Sequence, residues 1–144
     1  MIDKPTEIKY SHEHPPVFAR LEKEFGAKWE DVCIAYGDTL HFHETDMVRR
    51  DLIIHEATHL RQQEFSQEKA AEWWQRWFND PTFRLKEEIE AYQMQYRFLA
   101  GAISNRDELA AELMRLAREL SAPEYGPMIS YQKAFAVIKA GLQQ

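Results

Sequence analysis

Apolar residues recur at intervals of three, four and seven positions along most of the chain, which is the spacing of helices that bury one face. This spacing predicts six helices, with approximate bounds 16–25, 51–63, 66–78, 82–100, 105–120 and 127–142. Residues that favour helix ends lie near these boundaries, namely Gly26, Thr45 or Asp46, Ser66, Ser104 or Asn105, and Pro127. The pattern therefore predicts a mostly helical chain.

Strand-like patterning is confined to residues 32–43. Val32–Tyr36 is a run of apolar and branched residues, Gly37-Asp38 fits a tight turn, and Thr39–His43 alternates between two faces. The polar residues 1–14 are predicted to form a loop. Together with the helices, these features predict an α+β fold in which a short β-hairpin packs on one helix and about five further helices complete the domain.

Composition excludes several classes of protein. The chain has 144 residues, 44% of them hydrophobic, which predicts one domain over 1–144 with a substantial core. The net charge of −6 comes without a basic stripe, so nucleic acid is not an expected partner. No apolar run approaches the ~18 residues of a membrane span, and residues 1–16 lack the apolar centre of a signal peptide. We therefore expect a cytoplasmic protein with no membrane contact. The single cysteine, Cys33, cannot form an internal disulfide, which fits a reducing compartment.

The helix predicted over 51–63 contains the motif H-E-x-x-H, as His55-Glu56-Ala57-Thr58-His59. Residues four apart on an α-helix differ by only ~40° in direction, so the two imidazoles project side by side. Two such nitrogens can bind one Zn²⁺ at ~2.0–2.1 Å each and leave room for a third protein ligand and a water. Glu56 lies ~100° further round, where it can take a proton from that water without binding the ion. The motif predicts a zinc site with Glu56 as general base.

The flanks of the motif support a helix with one buried side. On a helical wheel His55 shares its side with Val48, Leu52, His59 and Gln62, and a second group comprises Ile53, Ala57 and Leu60. The remaining arc holds Arg50, Asp51, Thr58 and Arg61. Such a helix can bury an apolar stripe in a core and still turn its histidines toward a cleft.

A third ligand is available on the helix predicted over 82–100. The inner face of this helix is marked by a repeat of Leu85, Ile89, Tyr92, Tyr96 and Leu99. Glu88 lies ~60° from the centre of that face, whereas Glu87 and Glu90 lie ~140–160° away from it. A carboxylate beside an apolar stripe is costly unless it is paired or binds a metal, so Glu88 is the expected third ligand. The alternative is that Glu88 extends into solvent within a charged run.

The remaining histidines have less specific surroundings. His41 and His43 share one face of the second strand, where they either line a substrate groove or form the solvated face of the hairpin, which we favour. His12 and His14 are expected in a solvated loop rather than at a metal. Packing rather than chemistry is expected of Cys33, Trp73, Trp74 and Trp77.

With these residues identified, the sequence resembles the gluzincin class of zinc metallopeptidases, in which two histidines of one helix and a glutamate of a later helix bind Zn²⁺. HEATHLRQQ followed by DPTFRLKEEIEAYQMQ is more closely similar to the very small H-E-x-x-H proteins encoded by phages and other mobile elements, over about Leu40–Arg97. The resemblance implies a minimal zincin-like core, with His55, His59 and Glu88 as ligands and Glu56 as base. It also implies the host cytoplasm or the virion as the location.

Two features depart from the gluzincin pattern. The class often has an aspartate four residues after the ligand glutamate, which orients a histidine, and Tyr92 takes that position here. The Tyr92 hydroxyl either hydrogen-bonds an imidazole N–H or faces the substrate. The large N-terminal sheet of the class is reduced to the hairpin over 32–43. Tyr125, in a loop with proline and glycine, either packs or donates a hydrogen bond to an oxyanion.

Zinc-dependent hydrolysis of a peptide or protein substrate is the expected function. In such an enzyme the peptide adds as a strand to a sheet edge, which Thr39–His43 is expected to supply. The alternative is a zinc-binding structural or interaction protein, for example a phage morphogenesis component. Structural zinc sites are closed by four protein ligands, so a fourth ligand such as His41 or His43 would favour this alternative.

Overall fold

Helices make up most of the described part of the chain, together with one small sheet. The computed structural model describes residues 7–43, 48–126 and 128–143. The described α-helices are α1 Phe18–Phe25, α2 Arg50–Gln62, α3 Gln67–Asn79, α4 Pro81–Ala102, α5 Arg106–Leu120 and α6 Tyr131–Ala140. The described strands are β1 Lys9–Ser11, β2 Cys33–Tyr36 and β3 Thr39–Phe42. A mostly helical α+β architecture is thereby confirmed, and none of these helices has the length and apolar character needed to cross a membrane.

The predicted hairpin is present, and a third strand joins it. β2 and β3 pair antiparallel, with Tyr36 opposite Thr39 across the turn. Gly37 has a φ of 66° in that turn, a left-handed conformation that glycine adopts at little cost. β1 pairs parallel to β3, so the predicted loop over 1–14 is wrong for Lys9–Ser11. A polar strand of this length carries no alternation for a sequence pattern to detect. The strand order β1-β3-β2 makes β3 the central strand and β2 an edge.

Several helices begin or end at capping residues, most of which the sequence predicts. Gly26 follows α1 with a φ of 69° and ends it in the left-handed conformation. Ser66 and Asn105 accept hydrogen bonds from backbone amides in the first turns of α3 and α5. Asp80 does the same for α4, whose first residue is Pro81. The three side-chain caps, of α3, α4 and α5, satisfy amides that have no partner within their own helix.

Two helix starts differ from their predictions. α6 begins at Tyr131, because the side chain of Ser130 accepts a hydrogen bond from a backbone amide in the first turn and caps the helix there. Pro127, the predicted start, lies outside the described residues. α2 begins at Arg50, and the predicted caps Thr45 and Asp46 also lie outside the described residues.

α4 is the central helix of the fold. One of its faces packs against α2, and another packs against α5 and α6. The second face contributes Tyr92, Tyr96 and Leu99 to an apolar cluster with Leu116 of α5 and Ile138 of α6. The predicted inner face of α4 is therefore buried against two later helices, which leaves the opposite contact, with α2, to other side chains.

A separate aromatic cluster joins α1, β2 and α3. Its buried members include Phe18 of α1, Ile34 of β2, and Trp73, Trp74 and Trp77 of α3. The three tryptophans form core, as predicted. Their indole N–H groups point out of the cluster toward polar partners, which brings α3 beside both the sheet and α4.

Candidate metal centre

Two helices bring the three predicted metal ligands together in the interior. His55 and His59 lie on α2 and Glu88 lies on α4, and each of them is at most 3% exposed. Nε2 of His55 lies 3.2 Å from Oε1 of Glu88, and Nε2 of His59 lies 2.9 Å from Oε2. Donor atoms of the three side chains all lie within 4.8 Å of one another. The group is close enough to hold a metal ion, and the alternative of a Glu88 that extends into solvent is wrong.

The two helices meet through faces that the apolar pattern does not mark. On α4 one row of buried residues recurs every three or four positions and comprises Glu88, Ala91 and Gln95. On α2, Asp51 and Thr58 are buried although they lie in the arc outside the predicted stripe. Leu52 and Ile53, which belong to that stripe, are only half-buried. The prediction of an apolar buried side for α2 is therefore wrong in part, because α2 packs against polar side chains that supply hydrogen bonds.

Glutamine side chains orient both imidazoles. Oε1 of Gln95 lies 2.8 Å from Nδ1 of His55, and Oε1 of Gln62 lies 2.7 Å from Nδ1 of His59. Because an amide oxygen only accepts hydrogen bonds, each Nδ1 donates and carries a proton. The neutral form of each ring then has its lone pair on Nε2, the atom that faces Glu88. A metal ion bound between these side chains requires this tautomer.

Glu88 is held as an anion. The indole N–H of Trp77 donates to its Oε2 at 3.0 Å. Burial disfavours the charged carboxylate, but the charge of His59 and the hydrogen bonds from both histidines outweigh burial and hold the pKa of Glu88 far below its usual range. Burial likewise opposes a charged His59, yet the carboxylate of Glu88 raises the pKa of His59 to about 9. The two side chains therefore form a buried ion pair when no metal competes for Nε2.

The donor set fits a zinc ion. Tetrahedral ligands at ~2.0–2.1 Å from zinc lie about 3.3 Å from one another. The two distances between Nε2 atoms and the carboxylate are 2.9 and 3.2 Å, so small side-chain rotations would admit the ion. Two imidazole nitrogens with one carboxylate suit zinc, whereas Mg²⁺ and Ca²⁺ prefer oxygen ligands throughout. Three protein ligands would leave one position for water or substrate, as in catalytic zinc sites.

Glu56 lies beside the ligand group without joining it. Its Oε2 is 3.7 Å from Nε2 of His55, and its side chain is 10% exposed. The backbone N–H of Ala35 on β2 donates a hydrogen bond to this carboxylate. Burial raises the pKa of Glu56, against the opposing charges of His59 and His55. A fixed carboxylate with a raised pKa, next to a metal position, suits proton transfer.

The ligand group opens into a cavity of about 470 Å³, within the ~300–1,000 Å³ range of small-molecule sites. An apolar wall comes from α1, β2 and α3 and includes Leu21, Phe25, Val32, Ile34, Trp74 and Trp77. The described lining also includes the carboxylates Asp31, Glu119 and Glu124, and it contains no lysine or arginine. Cys33 also lines the cavity and packs in an apolar cluster with Leu40 and Leu60, as predicted, and burial raises the pKa of its thiol far above the usual range.

The sheet edge beside the cavity belongs to β2. Because β3 is the central strand, the prediction that Thr39–His43 supplies a free edge is wrong. On β2 the N–H of Ala35 is bonded to Glu56, and its carbonyl accepts hydrogen bonds from Trp74 at 2.9 Å and Gln63 at 3.2 Å. Cys33, two residues earlier and therefore on the same edge, lines the cavity. Pairing of another strand along this edge would have to stop before Ala35.

The remaining candidate histidines lie outside the ligand group. Nδ1 of His41 lies 2.8 Å from the backbone carbonyl of Glu13. Neither His41 nor His43 belongs to the ligand group or to the described lining of the cavity. His12 and His14 are exposed and also lie outside the ligand group. Among the described residues, no histidine completes a closed site of four protein ligands.

The two candidate tyrosines lie in different parts of the chain. Tyr92 lines the cavity, and its ring meets the ring of His55 edge-on with 4.5 Å between centroids. Since both imidazoles donate from Nδ1 to glutamines, amides supply the orienting bonds that one of the two alternatives assigned to the Tyr92 hydroxyl. The backbone of Tyr125 lies in a single 3₁₀ turn, Pro123–Tyr125, and its side chain is outside the described part of the chain.

Sequence reasoning assigned no site role to Gln95, Gln62 or Asp51, although helical spacing contains a signal for them. Gln95 follows Glu88 by seven residues and Asp51 precedes His55 by four, so each shares a helix face with a ligand. Gln62 follows His59 by three residues. A polar side chain one or two turns from a ligand, on the same face, is the feature that would have identified all three.

Comparisons of the chain with models of protein families, with curated proteins and with solved structures found no match. The likeness to gluzincins therefore stays a prediction from the motif residues. Independently of that likeness, the fold gathers a buried group of His55, His59 and Glu88 that could hold a metal ion.

Proposed function

We propose that this chain is a small zinc-dependent peptidase of gluzincin type, in which His55, His59 and Glu88 hold the ion. The observation that carries the proposal is the meeting of these donors from α2 and α4 at a cavity that Glu56 also lines. A carboxylate and two imidazoles buried together are costly to a fold unless they are paired or bind a metal. Their position beside a cavity therefore supports a catalytic metal centre.

In the proposed reaction Glu56 is the general base. When bound, zinc supplies Lewis acidity, which acidifies a water and polarises the scissile carbonyl. Glu56 accepts the proton of the attacking water and passes it to the leaving nitrogen. The hydrogen bond from Ala35 fixes the carboxylate, so it meets the reacting atoms without reorganising.

The proposed substrate is a peptide that lies against the start of β2. Val32 and Cys33 line the cavity, whereas the backbone groups of Ala35 are already bonded to Glu56, Trp74 and Gln63. A bound peptide would therefore form few strand-like hydrogen bonds and would depend on side-chain contacts in the cavity. The apolar wall and the carboxylates of the lining suit apolar and cationic side chains.

The alternative of a zinc-stabilised structural protein receives less support. A structural site needs a fourth protein ligand, and the two candidates, His41 and His43, lie outside the ligand group. A structural site also gains from being sealed, whereas this group opens into a cavity of about 470 Å³. Both features favour a centre that acts on a substrate.

The decisive experiment compares the wild-type chain with Glu56→Gln. Glutamine keeps the shape of the side chain but cannot accept the proton, so hydrolysis of a mixed peptide library should fall by about 10²–10⁴-fold. Zinc binding should remain at one ion per chain, because Glu56 is not a ligand. Glu72→Gln is the matched control, since it removes an exposed carboxylate of α3 that does not line the cavity, and it should leave hydrolysis unchanged.

Undiminished turnover in Glu56→Gln would remove Glu56 from the mechanism. Stoichiometric zinc binding without any hydrolysis by the wild-type chain would favour the binding-protein alternative. Failure of the wild-type chain to bind zinc would refute the proposal as a whole.

A further inference from the structure

A chain of buried polar groups connects α5 to the metal centre. Nδ1 of His55 lies 2.8 Å from Oε1 of Gln95, and Nε2 of Gln95 donates to Oδ2 of Asp51 at 2.8 Å. The same Oδ2 accepts a hydrogen bond from Arg115 at 2.9 Å. His55, Gln95 and Asp51 are each at most 3% exposed. We call these four residues, Arg115, Asp51, Gln95 and His55, the orienting chain.

Each hydrogen bond of the orienting chain has only one possible direction. The Asp51 carboxylate, paired with two arginines, can only accept, so it must face the amino end of the Gln95 amide. The oxygen end of that amide must then face His55, where it can only accept. Nδ1 of His55 therefore has to donate, which leaves the lone pair of the neutral ring on Nε2.

Without Asp51 nothing in the orienting chain would fix the amide. A flipped Gln95 would present its amino end to Nδ1 of His55, and Nδ1 would then have to accept. The neutral ring would carry its proton on Nε2, the atom that faces Glu88 and the metal position. A flip of one amide, at a distance from the ion, would thus remove one of three metal ligands.

We propose that Asp51 and Gln95 are positioning residues of the metal centre, with Asp51 locking the Gln95 amide in the orientation that presents Nε2 of His55 to the ion. The inference rests on the metal centre of the proposed function and assigns two residues that the metal-binding motif does not include. Groups that orient ligand histidines typically change metal affinity by about 10–100-fold when mutated. The carboxylate of Asp51 acts here through the amide of Gln95, so it orients the imidazole of His55 without contacting it.

The test measures zinc affinity of the full chain by competition with a chromophoric chelator. Gln95→Met removes the acceptor at similar volume, and Asp51→Leu removes the lock; each should weaken zinc binding by about 10–100-fold. Asp51→Asn keeps an oxygen that can accept hydrogen bonds from Gln95 and Arg115. Its zinc affinity should therefore stay within about threefold of wild type, a much smaller loss than the ~10–100-fold loss expected of the other two variants. Glu112→Gln is the matched control, because Glu112 binds the same Arg49 and Arg115 but does not contact Gln95.

These variants separate orientation from charge. If Asp51 acted only through its negative charge, Asp51→Asn and Glu112→Gln would weaken zinc binding as much as Asp51→Leu. That outcome would overturn the proposal, and so would wild-type affinity in Gln95→Met. A double variant, Asp51→Leu with Gln95→Met, should be no weaker than the worse single variant, because both changes remove the same hydrogen bond.

A second readout needs no variant to fold. Long-range ¹H–¹⁵N correlation spectra of the zinc-loaded wild-type chain should show His55 with a protonated Nδ1 and a metal-bound Nε2. Ligation through Nδ1 would overturn the proposal, whatever the peptidase activity. Zinc binding that follows these predictions in a chain without hydrolytic activity would support the positioning role and refute the peptidase, so the two proposals fail on different observations.

Discussion

α4 buries two faces of opposite chemistry. The face toward α5 and α6, which we call the apolar face, consists chiefly of Tyr92, Tyr96 and Leu99. The face toward α2, the polar face, carries Glu88 and Gln95. Apolar burial stabilises a fold in proportion to the area removed from water, whereas buried charges and amides at best offset the cost of their own desolvation. The comparison indicates that one face of α4 stabilises the fold, whereas the other face supplies and orients the candidate metal ligands.

A polar face of this kind is stable only because each of its groups meets a partner. Glu88 contacts His55, His59 and Trp77, and Gln95 bridges His55 and Asp51. Most of these partners lie on α2, so the contact between the helices depends on hydrogen-bond geometry rather than on shape alone. Mutations on the two faces should therefore have separable effects.

The largest effect is expected from Glu88→Leu on the polar face. Loss of one of three ligands should remove roughly a third of a zinc binding free energy of ~10–16 kcal/mol, which is ~3–5 kcal/mol or at least a hundredfold in affinity. Removing one partner of the buried pair with His59 also lowers the free energy of unfolding of the metal-free chain, by about 3–5 kcal/mol, so zinc binding is measured under conditions in which the variant is folded. Isothermal titration with zinc and circular dichroism measure the two quantities. Tight stoichiometric binding by this variant would show that Glu88 is not a ligand.

Leu99→Ala on the apolar face of the same helix should destabilise the chain but leave zinc binding intact. Leu99 is 5% exposed, and its truncation should lower the free energy of unfolding by about 2–5 kcal/mol. Zinc should still bind at one ion per chain, because Leu99 contacts no ligand of the centre. Urea denaturation and metal analysis check both points. Loss of zinc from folded Leu99→Ala would contradict the separation of the two faces.

The pH dependence of zinc binding should reveal the proton that the ion displaces. The pKa of His59 is raised from 6.5 to about 9 in the folded chain, so the stability of its ion pair with Glu88 is fully present below about pH 6.5 and lost as pH rises through 9. Zinc must remove that proton, so its apparent affinity should rise about tenfold per pH unit up to pH 9. The melting temperature of the metal-free chain should fall over the same interval. A zinc affinity that is level from pH 6 to pH 9 would be incompatible with this pair.

The smallest effect is expected from Gln62→Met, which removes the orienting bond of the other histidine. Gln62 donates to the carbonyl of Glu87 and to the half-exposed carboxylate of Glu90, so its surroundings are more open than those of Gln95. Water can replace such a partner, and the loss in zinc affinity should stay within about threefold, below the ~10–100-fold range typical of buried orienting groups. Measuring the zinc affinity of Gln62→Met and Gln95→Met together compares the orienting bonds of the two histidines directly. Equal losses in the two variants would show that burial of the orienting group does not matter.

Local periodicity predicted much of this architecture. Spacing and capping act between residues that are close in sequence. They predicted the helices that start near Ser66, Asp80 and Asn105, the hairpin over 32–43 and the inward position of Glu88. The strand Lys9–Ser11 could not be predicted in this way. Its stability comes from pairing with β3, about thirty residues later, rather than from its own pattern.

By itself the sequence determined which residues could bind a metal, because two histidines four apart and a glutamate beside an apolar stripe have fixed directions on their own helices. Only the tertiary structure decided that Gln95 and Asp51 orient His55, that β2 rather than β3 lies at the sheet edge, and that His41 and His43 stay outside the centre. Hydrogen bonds between elements depend on how helices and strands are placed against one another. Periodicity within one element carries no information about that placement.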